Sequence, residues 1–192
     1  MASFGAKYPR FSPIKTEPKA ALPTYEGPVT IGKLVKAELT VTLSSGKLYA
    51  DDALAESVDE FSSGALAMET DDMVDEVAGK VYGATVTEKK VSYKAGDSAP
   101  LGGLAYYKTI MRDGKKLYKG FYYPRVKAQL GNDTAQTKGD AITFGTNSTT
   151  FTVFRCNSDE WRITEEFDTE AAAVAWVDEQ LAATAAPANE PA

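Results

Sequence analysis

The sequence predicts a mainly β protein, an antiparallel β-sandwich or half-barrel with a short mid-chain helix and a C-terminal α-helix. Three observations predict it. Short runs alternating apolar and polar residues recur along the chain, with Gly, Ser, Asn and Asp turn signals between them. Only one stretch, Glu170 to about Ala183, has sustained helical spacing. No internal repeat is present, and roughly eight to nine strands are expected.

Residues 1–28 read as an extended N-terminal arm. Pro9, Pro13, Pro18, Pro23 and Pro28 argue against a helix or a central strand there. The arm carries the aromatics Phe4, Tyr8, Phe11 and Tyr25. It is either a disordered leader or an inter-subunit arm that docks these rings on a neighbour. Residues 29–183 form the expected domain, and 184–192, rich in Ala and Pro, a flexible tail.

Leu34 to Leu43 is the cleanest strand, with Lys36, Glu38, Thr40 and Thr42 on its polar face. Ser44-Ser45-Gly46 reads as a turn, and Lys47 to Ala50 as a short return strand. Asp51 to Glu60 is acidic and reads as a loop or a helical turn; Phe61 to Glu69 is strand again. Thr70-Asp71-Asp72 offers an N-cap to a helix at about 72–78, with Gly79 as its terminator. Gly103 to Gln129 is a Tyr- and Phe-rich hairpin around Asp113-Gly114. A two-residue loop would set Lys108 opposite Lys119, so a three-residue loop with a bulge at Gly114 is preferred. Ala141 to Gly145 and Thr150 to Cys156 are strands around a turn that includes Asn147-Ser148-Thr149. Asp168 or Thr169 caps the final helix.

Composition limits the chemistry. The 192 residues carry a net charge of -6, which argues against a basic nucleic-acid-binding surface. There is no histidine, so Ser-His and Cys-His catalysis and most zinc sites are excluded. The one cysteine, Cys156, lies in an apolar run and reads as a buried thiol. No apolar stretch is long enough for a transmembrane helix. The N-terminus has no basic-then-apolar signal pattern, so folding in a reducing cytoplasm is expected. Asp71 and Asp72 lack a third ligand at metal spacing, and the Gly102-Gly103 loop lacks a following Gly-Lys-Ser/Thr. No catalytic residue, cofactor or metal is expected. The hairpin aromatics could instead offer a stacking platform for sugars, in a monomeric carbohydrate-binding module.

Three segments carry a resemblance. Tyr118 to Lys127 (Y-K-G-F-Y-Y-P-R-V-K), Thr137 to Thr146 (T-K-G-D-A-I-T-F-G-T) and Leu48 to Glu56 (L-Y-A-D-D-A-L-A-E) resemble major tail proteins of long-tailed, non-contractile bacteriophages and related prophages. The likeness covers most of residues 30–170. It implies a tail-tube subunit without enzymatic activity, assembled in the host cytoplasm into stacked six-fold rings of the virion tail. The expected partners are further copies of the chain, then tape-measure, tail-terminator and distal-tail proteins; DNA passes without specific binding, and no membrane is involved. A closed ring would satisfy exposed strand edges, and an acidic lumen would let DNA slide. On this reading Asp51, Asp52, Glu56, Asp59 and Glu60 become a ring-stacking loop, and the Lys36–Thr42 polar row a candidate lumen face. Long two-sided hairpins make sense on this reading, with one face to the lumen and one to the core; for Gly103 to Gln129 the choice between lumen, core and exterior stays open. Tubes of secretion and contractile injection machines would share this logic.

Overall fold

The computed structural model describes residues 2–88, 90–130 and 145–183. In chain order they form β1 (Ala2–Thr16), β2 (Thr24–Tyr25), β3 (Val29–Thr30), β4 (Leu34–Ala50), β5 (Ala53–Thr70), α1 (Asp75–Tyr82), β6 (Thr85–Thr87) and β7 (Lys90–Ser92). There follow β8 (Leu101–Arg112), β9 (Lys115–Gln129), β10 (Asn147–Val153), β11 (Ile163–Phe167) and α2 (Glu170–Gln180). The main sheet runs β2-β1-β8-β9-β10-β5-β4, with β11 also beside β9 and β3 beside β1. All its pairings are antiparallel, and β6–β7 is a separate small ribbon.

The sheet curls on itself. Phe11 of β1 and Phe151 of β10 have ring centroids 6.0 Å apart, although β8 and β9 lie between them in the sheet. The concave side is filled by Phe11, Leu66, Met68, Leu104, Val126 and Phe151, and α1 closes it with Val77, Ala78 and Val81. The opposite side of β8 and β9 is covered by α2, whose Ala173, Trp176 and Val177 pack on Ala105, Tyr107, Tyr118 and Tyr122. Side chains alternate across a strand, so Leu104 and Tyr106 enter the first cluster while Ala105 and Tyr107 enter the second. The predicted mainly β, antiparallel, sandwich-like architecture with a mid-chain and a C-terminal helix is therefore observed among the described residues. The central hairpin has both faces buried by its own chain.

Close packing leaves no room for a side chain at two central glycines. A methyl group at Gly120 would stand 2.5 Å from the Trp176 ring, and one at Gly103 would stand 2.6 Å from the Tyr25 ring. Each ring sits on the α2 side, so overpacking there pushes the helix from the sheet. Gly120→Ala is expected to lower stability by about 1–3 kcal/mol, read as a shift in the denaturant midpoint.

Several expectations are corrected. The N-terminal segment is a 15-residue strand inside the sheet, paired with β8, not an arm. Its prolines fit because the carbonyls of Pro9 and Pro13 accept from Ile31 and Glu26 respectively. In a strand the N–H and C=O of one residue point the same way, so the missing donors face this ragged margin and not β8. A break in register between Lys7 and Arg10, with Tyr8 at φ 61, absorbs the remaining mismatch.

The mid-chain helix spans Asp75–Tyr82 and is capped by Gly83 (φ 75), later than predicted. Asp71 does not cap it: its carboxylate accepts from the backbone N–H of Lys33 and Asp72, tying the start of β4 to the end of β5. Gly79 is interior to the helix, where Val86 packs against it. At Asp113-Gly114 both residues take positive φ, 51 and 77, and Arg112 pairs with Lys115. This is the two-residue turn, and Lys108 does oppose Lys119. The repulsion is relieved because Lys119 lies 3.6 Å from Glu166 and Lys108 sits over the Phe121 ring. Asn147-Ser148-Thr149 opens β10 and is not a turn. The predicted 141–145 strand falls almost wholly outside the described residues, as does the 184–192 tail.

Ionic contacts lock β1 onto α2. Asp178 accepts from the Tyr8 hydroxyl at 2.9 Å and from Arg10 Nε at 3.0 Å. Glu170 accepts from the Tyr107 hydroxyl at 2.6 Å and from Lys7 at 3.1 Å. The Glu170 carboxyl is held below the usual carboxylate range, first by Tyr107 and then by Lys7. A depressed folded-state value means the contribution is present above the unfolded value and is lost as pH falls through the folded one. Acidification below pH ~4 should therefore loosen α2, and Glu170→Gln should make the melting temperature fall less steeply with acid.

Candidate assembly surface

Residues 42–63 leave the body of the protein as a two-stranded ribbon. β5 loses its β10 partner beyond Gly64, which pairs with Val153; from there to the tip, among the described strands, β4 and β5 pair only with each other. At roughly 3.3 Å per residue the ribbon reaches about 30 Å from the sheet. Its tip is Asp51-Asp52, both at positive φ (50 and 59), the backbone a two-residue hairpin turn needs. Extra residues in β5 interrupt the register opposite Thr42/Leu43 and Leu48/Tyr49, and such bulges add twist.

Two sequence expectations change here. Ser44-Ser45-Gly46 is not a turn, because β4 runs unbroken through it; Ser45 is held across the ribbon by its hydroxyl, which donates to Asp59. The Asp51–Glu60 segment is the turn and the outgoing strand, not a loop or helical turn. Nothing in the 44–46 tripeptide forbids a strand; local propensity there was overridden by a pairing partner fifteen or so residues away.

Every residue from Thr40 to Glu60 is exposed. Cross-strand partners share a face, and one face continues the concave core outwards: Val41, Leu43, Phe61, Tyr49 and Leu54. Phe61 is covered by Trp161, stacked at 4.3 Å, while Leu43 and Tyr49 are 52% and 65% exposed. Leu48 and Val58 are exposed on the other face. The ribbon holds five carboxylates, Asp51, Asp52, Glu56, Asp59 and Glu60, against one ammonium, Lys47. An isolated two-stranded ribbon is marginal in water, and clustered exposed apolar side chains mark contact surfaces.

Lys36, Glu38, Thr40 and Thr42 lie in one exposed row on β4, the last strand of the sheet. Lys36 Nζ stands 2.6 Å from Glu38 Oε2, and this bond raises the lysine pKa and lowers that of the carboxyl. Across the sheet the row continues through Ala65 and Ala67 of β5 to Thr150 and Thr152 of β10. α2 covers the same side over β1, β8, β9 and β11, not over β10, β5 and β4, so among the described residues this polar, small-residue half is open. Among the described strands none pairs with the outer edge of β4.

The arm aromatics do not form a surface. Phe11 is fully buried in the first cluster and Tyr25 is buried in the second. The Tyr25 hydroxyl donates to the Pro124 carbonyl, leaving its oxygen to accept from Tyr122. Tyr8 is half-buried against Asp178, and only Phe4 stays exposed. The hairpin rings that could have stacked sugars are spent in the same way: Tyr106, Tyr107, Tyr118, Tyr122 and Tyr123 are all buried. Burial raises the pKa of the Tyr25 and Tyr122 hydroxyls, which stay neutral. Cys156 is buried. Among the described residues no group of carboxylates and thiols is placed to hold a metal. Among them, too, no helix is long and apolar enough to cross a membrane.

Of the three segments that carry the resemblance, Leu48 to Glu56 is the ribbon tip and Tyr118 to Lys127 is the buried middle of β9. Thr137 to Thr146 lies mostly outside the described residues. No protein-family model matches this chain, and no curated protein matches it.

Proposed function

We propose that the chain is a structural, self-assembling subunit without enzymatic activity, and that its assembly is the tube of a phage tail. The observation that carries this reading is the ribbon: about 30 Å of paired strand with apolar side chains exposed, on a body whose core is otherwise closed. A monomer has no use for it, whereas a neighbour that covers the apolar face gives it a partner. The free β4 edge supports the same conclusion, since such an edge is a template for pairing with another chain.

In this reading copies form six-fold rings that stack into a tube, and the acidic ribbons link one copy to the next. The open row through Lys36, Glu38, Thr40, Thr42, Ala65, Ala67, Thr150 and Thr152 is the surface best suited to a lumen. Its small, mixed-charge side chains give DNA phosphates little to hold, and the net charge of -6 adds repulsion. Tape-measure, terminator and distal-tail proteins are then the natural partners, and the virion tail the location. The carbohydrate-binding alternative needs exposed rings that the buried hairpin does not offer.

Electron microscopy of the purified chain tests the proposal. Rings or tubes with an axial hole are expected; a protein that stays monomeric at high concentration and is missing from tail particles would contradict it.

A further inference from the structure

A second surface complements the ribbon tip. Where β9 ends, a groove of about 310 Å³ opens between Tyr82 at the end of α1, Tyr93 after β7, and Leu130. Tyr93 and Leu130 are 51% and 65% exposed. Lys94 and Lys127 line the same groove, beside Asp97. The Lys127 ammonium donates to the neutral Ser98 hydroxyl at 3.0 Å, and the Asp97 carboxylate accepts from the Lys94 backbone N–H. Among the described residues neither ammonium lies within 4.0 Å of a carboxylate. The groove thus combines aromatic and aliphatic walls with a polar rim that is positive on balance, in a protein that is negative as a whole.

We infer that this groove receives the ribbon tip of a second copy of the chain. The tip presents chemistry that complements the groove: Tyr49 and Leu54 on one face and Leu48 on the other for its apolar walls, and the Asp51-Asp52 carboxylates at the turn for its two ammonium groups. Its large apolar side chains Leu48, Tyr49 and Leu54, and Tyr93 and Leu130 of the groove, are all more than half exposed. A groove of this size takes one aromatic side chain, and an aromatic ring brings a large burial at low entropic cost. Lys94 and Lys127 would then neutralise Asp51 and Asp52 at the rim, which selects the docking partner and its orientation. Tip and groove are different surfaces, so the contact is head-to-tail: it propagates from copy to copy and does not close at a dimer.

This inference rests on the self-assembly reading and assigns its partner surface. Charge reversal in the full chain tests it. Lys94→Glu, and Tyr93→Ala with Lys94→Glu, change exposed side chains, and unchanged melting curves verify the fold. Each is expected to raise the concentration needed for assembly roughly tenfold or more. Asp51→Lys with Asp52→Lys should do the same, and combining those two with Lys94→Glu in one chain should restore much of the loss. If the unaltered chain assembles and the groove variants assemble equally well, the inference is overturned and the self-assembly reading stands. If the groove variants fail and the reversed tip does not rescue them, tip and groove do not meet, and the inference is again overturned. If the unaltered chain does not assemble at all, both fall.

Discussion

Joining Leu43 to Phe61 through an Asn-Gly turn, in place of residues 44–60, should leave a folded monomer that no longer assembles. The excised residues are exposed, and among the described residues their side-chain hydrogen bond, Ser45–Asp59, is made within the excised segment. Exposed side chains of this kind change stability by only about 0.5 kcal/mol each, in either direction. Shortening an uncovered ribbon also removes entropy-costly order, so the melting temperature should move little. The Leu43–Phe61 pair would still meet across the new turn, and Phe61 would keep its stack on Trp161. Assembly, in contrast, should disappear, because the tip and most of the apolar face are gone. Light scattering at high concentration, beside circular dichroism, separates the two effects. A shortened chain that still forms particles would move the assembly surface elsewhere.

The largest loss of stability should come from Phe11→Ala. This ring is fully buried, against Phe151 across the curl of the sheet. A Phe→Ala cavity in such a place costs about 3–5 kcal/mol, a large part of the 5–15 kcal/mol that holds a typical domain together. Phe4→Ala, seven residues earlier and half exposed, should cost about 0.5 kcal/mol or less. Chemical denaturation of the two variants checks the contrast. Equal, small effects would restore the picture of a detachable N-terminal arm, and a large effect at Phe11 alone shows that the first strand is part of the fold.

That contrast marks where sequence patterns were informative. The β class, the Leu34–Leu43 alternation and the C-terminal helix are local signals, and each is legible because periodicity or a cap such as Thr169 encodes it directly. The first strand was not, because proline frequency counts missing donors without saying which edge they face. Only the partners of the Pro9 and Pro13 carbonyls settle that. The ribbon was half legible. Its acidity and its motif stood out, but a Ser-Ser-Gly turn and an acidic loop are what local propensity gives when the partner strand is unknown. Its bulged register follows from pairing over a long hairpin, which no window of a few residues contains. The groove was invisible, since Tyr82, Tyr93, Lys94, Lys127 and Leu130 come from separate parts of the chain.

Backbone hydrogen exchange across residues 41–61, measured against protein concentration, tests the central claim most directly. Cross-strand amides of an uncovered ribbon open easily, so exchange should be fast in dilute solution. Covering by neighbouring copies should slow it as concentration rises, together with amides on the outer edge of β4, while the buried β8–β9 hairpin stays protected throughout. Fast exchange over 41–61 at every concentration, with no particle in solution, would contradict the account.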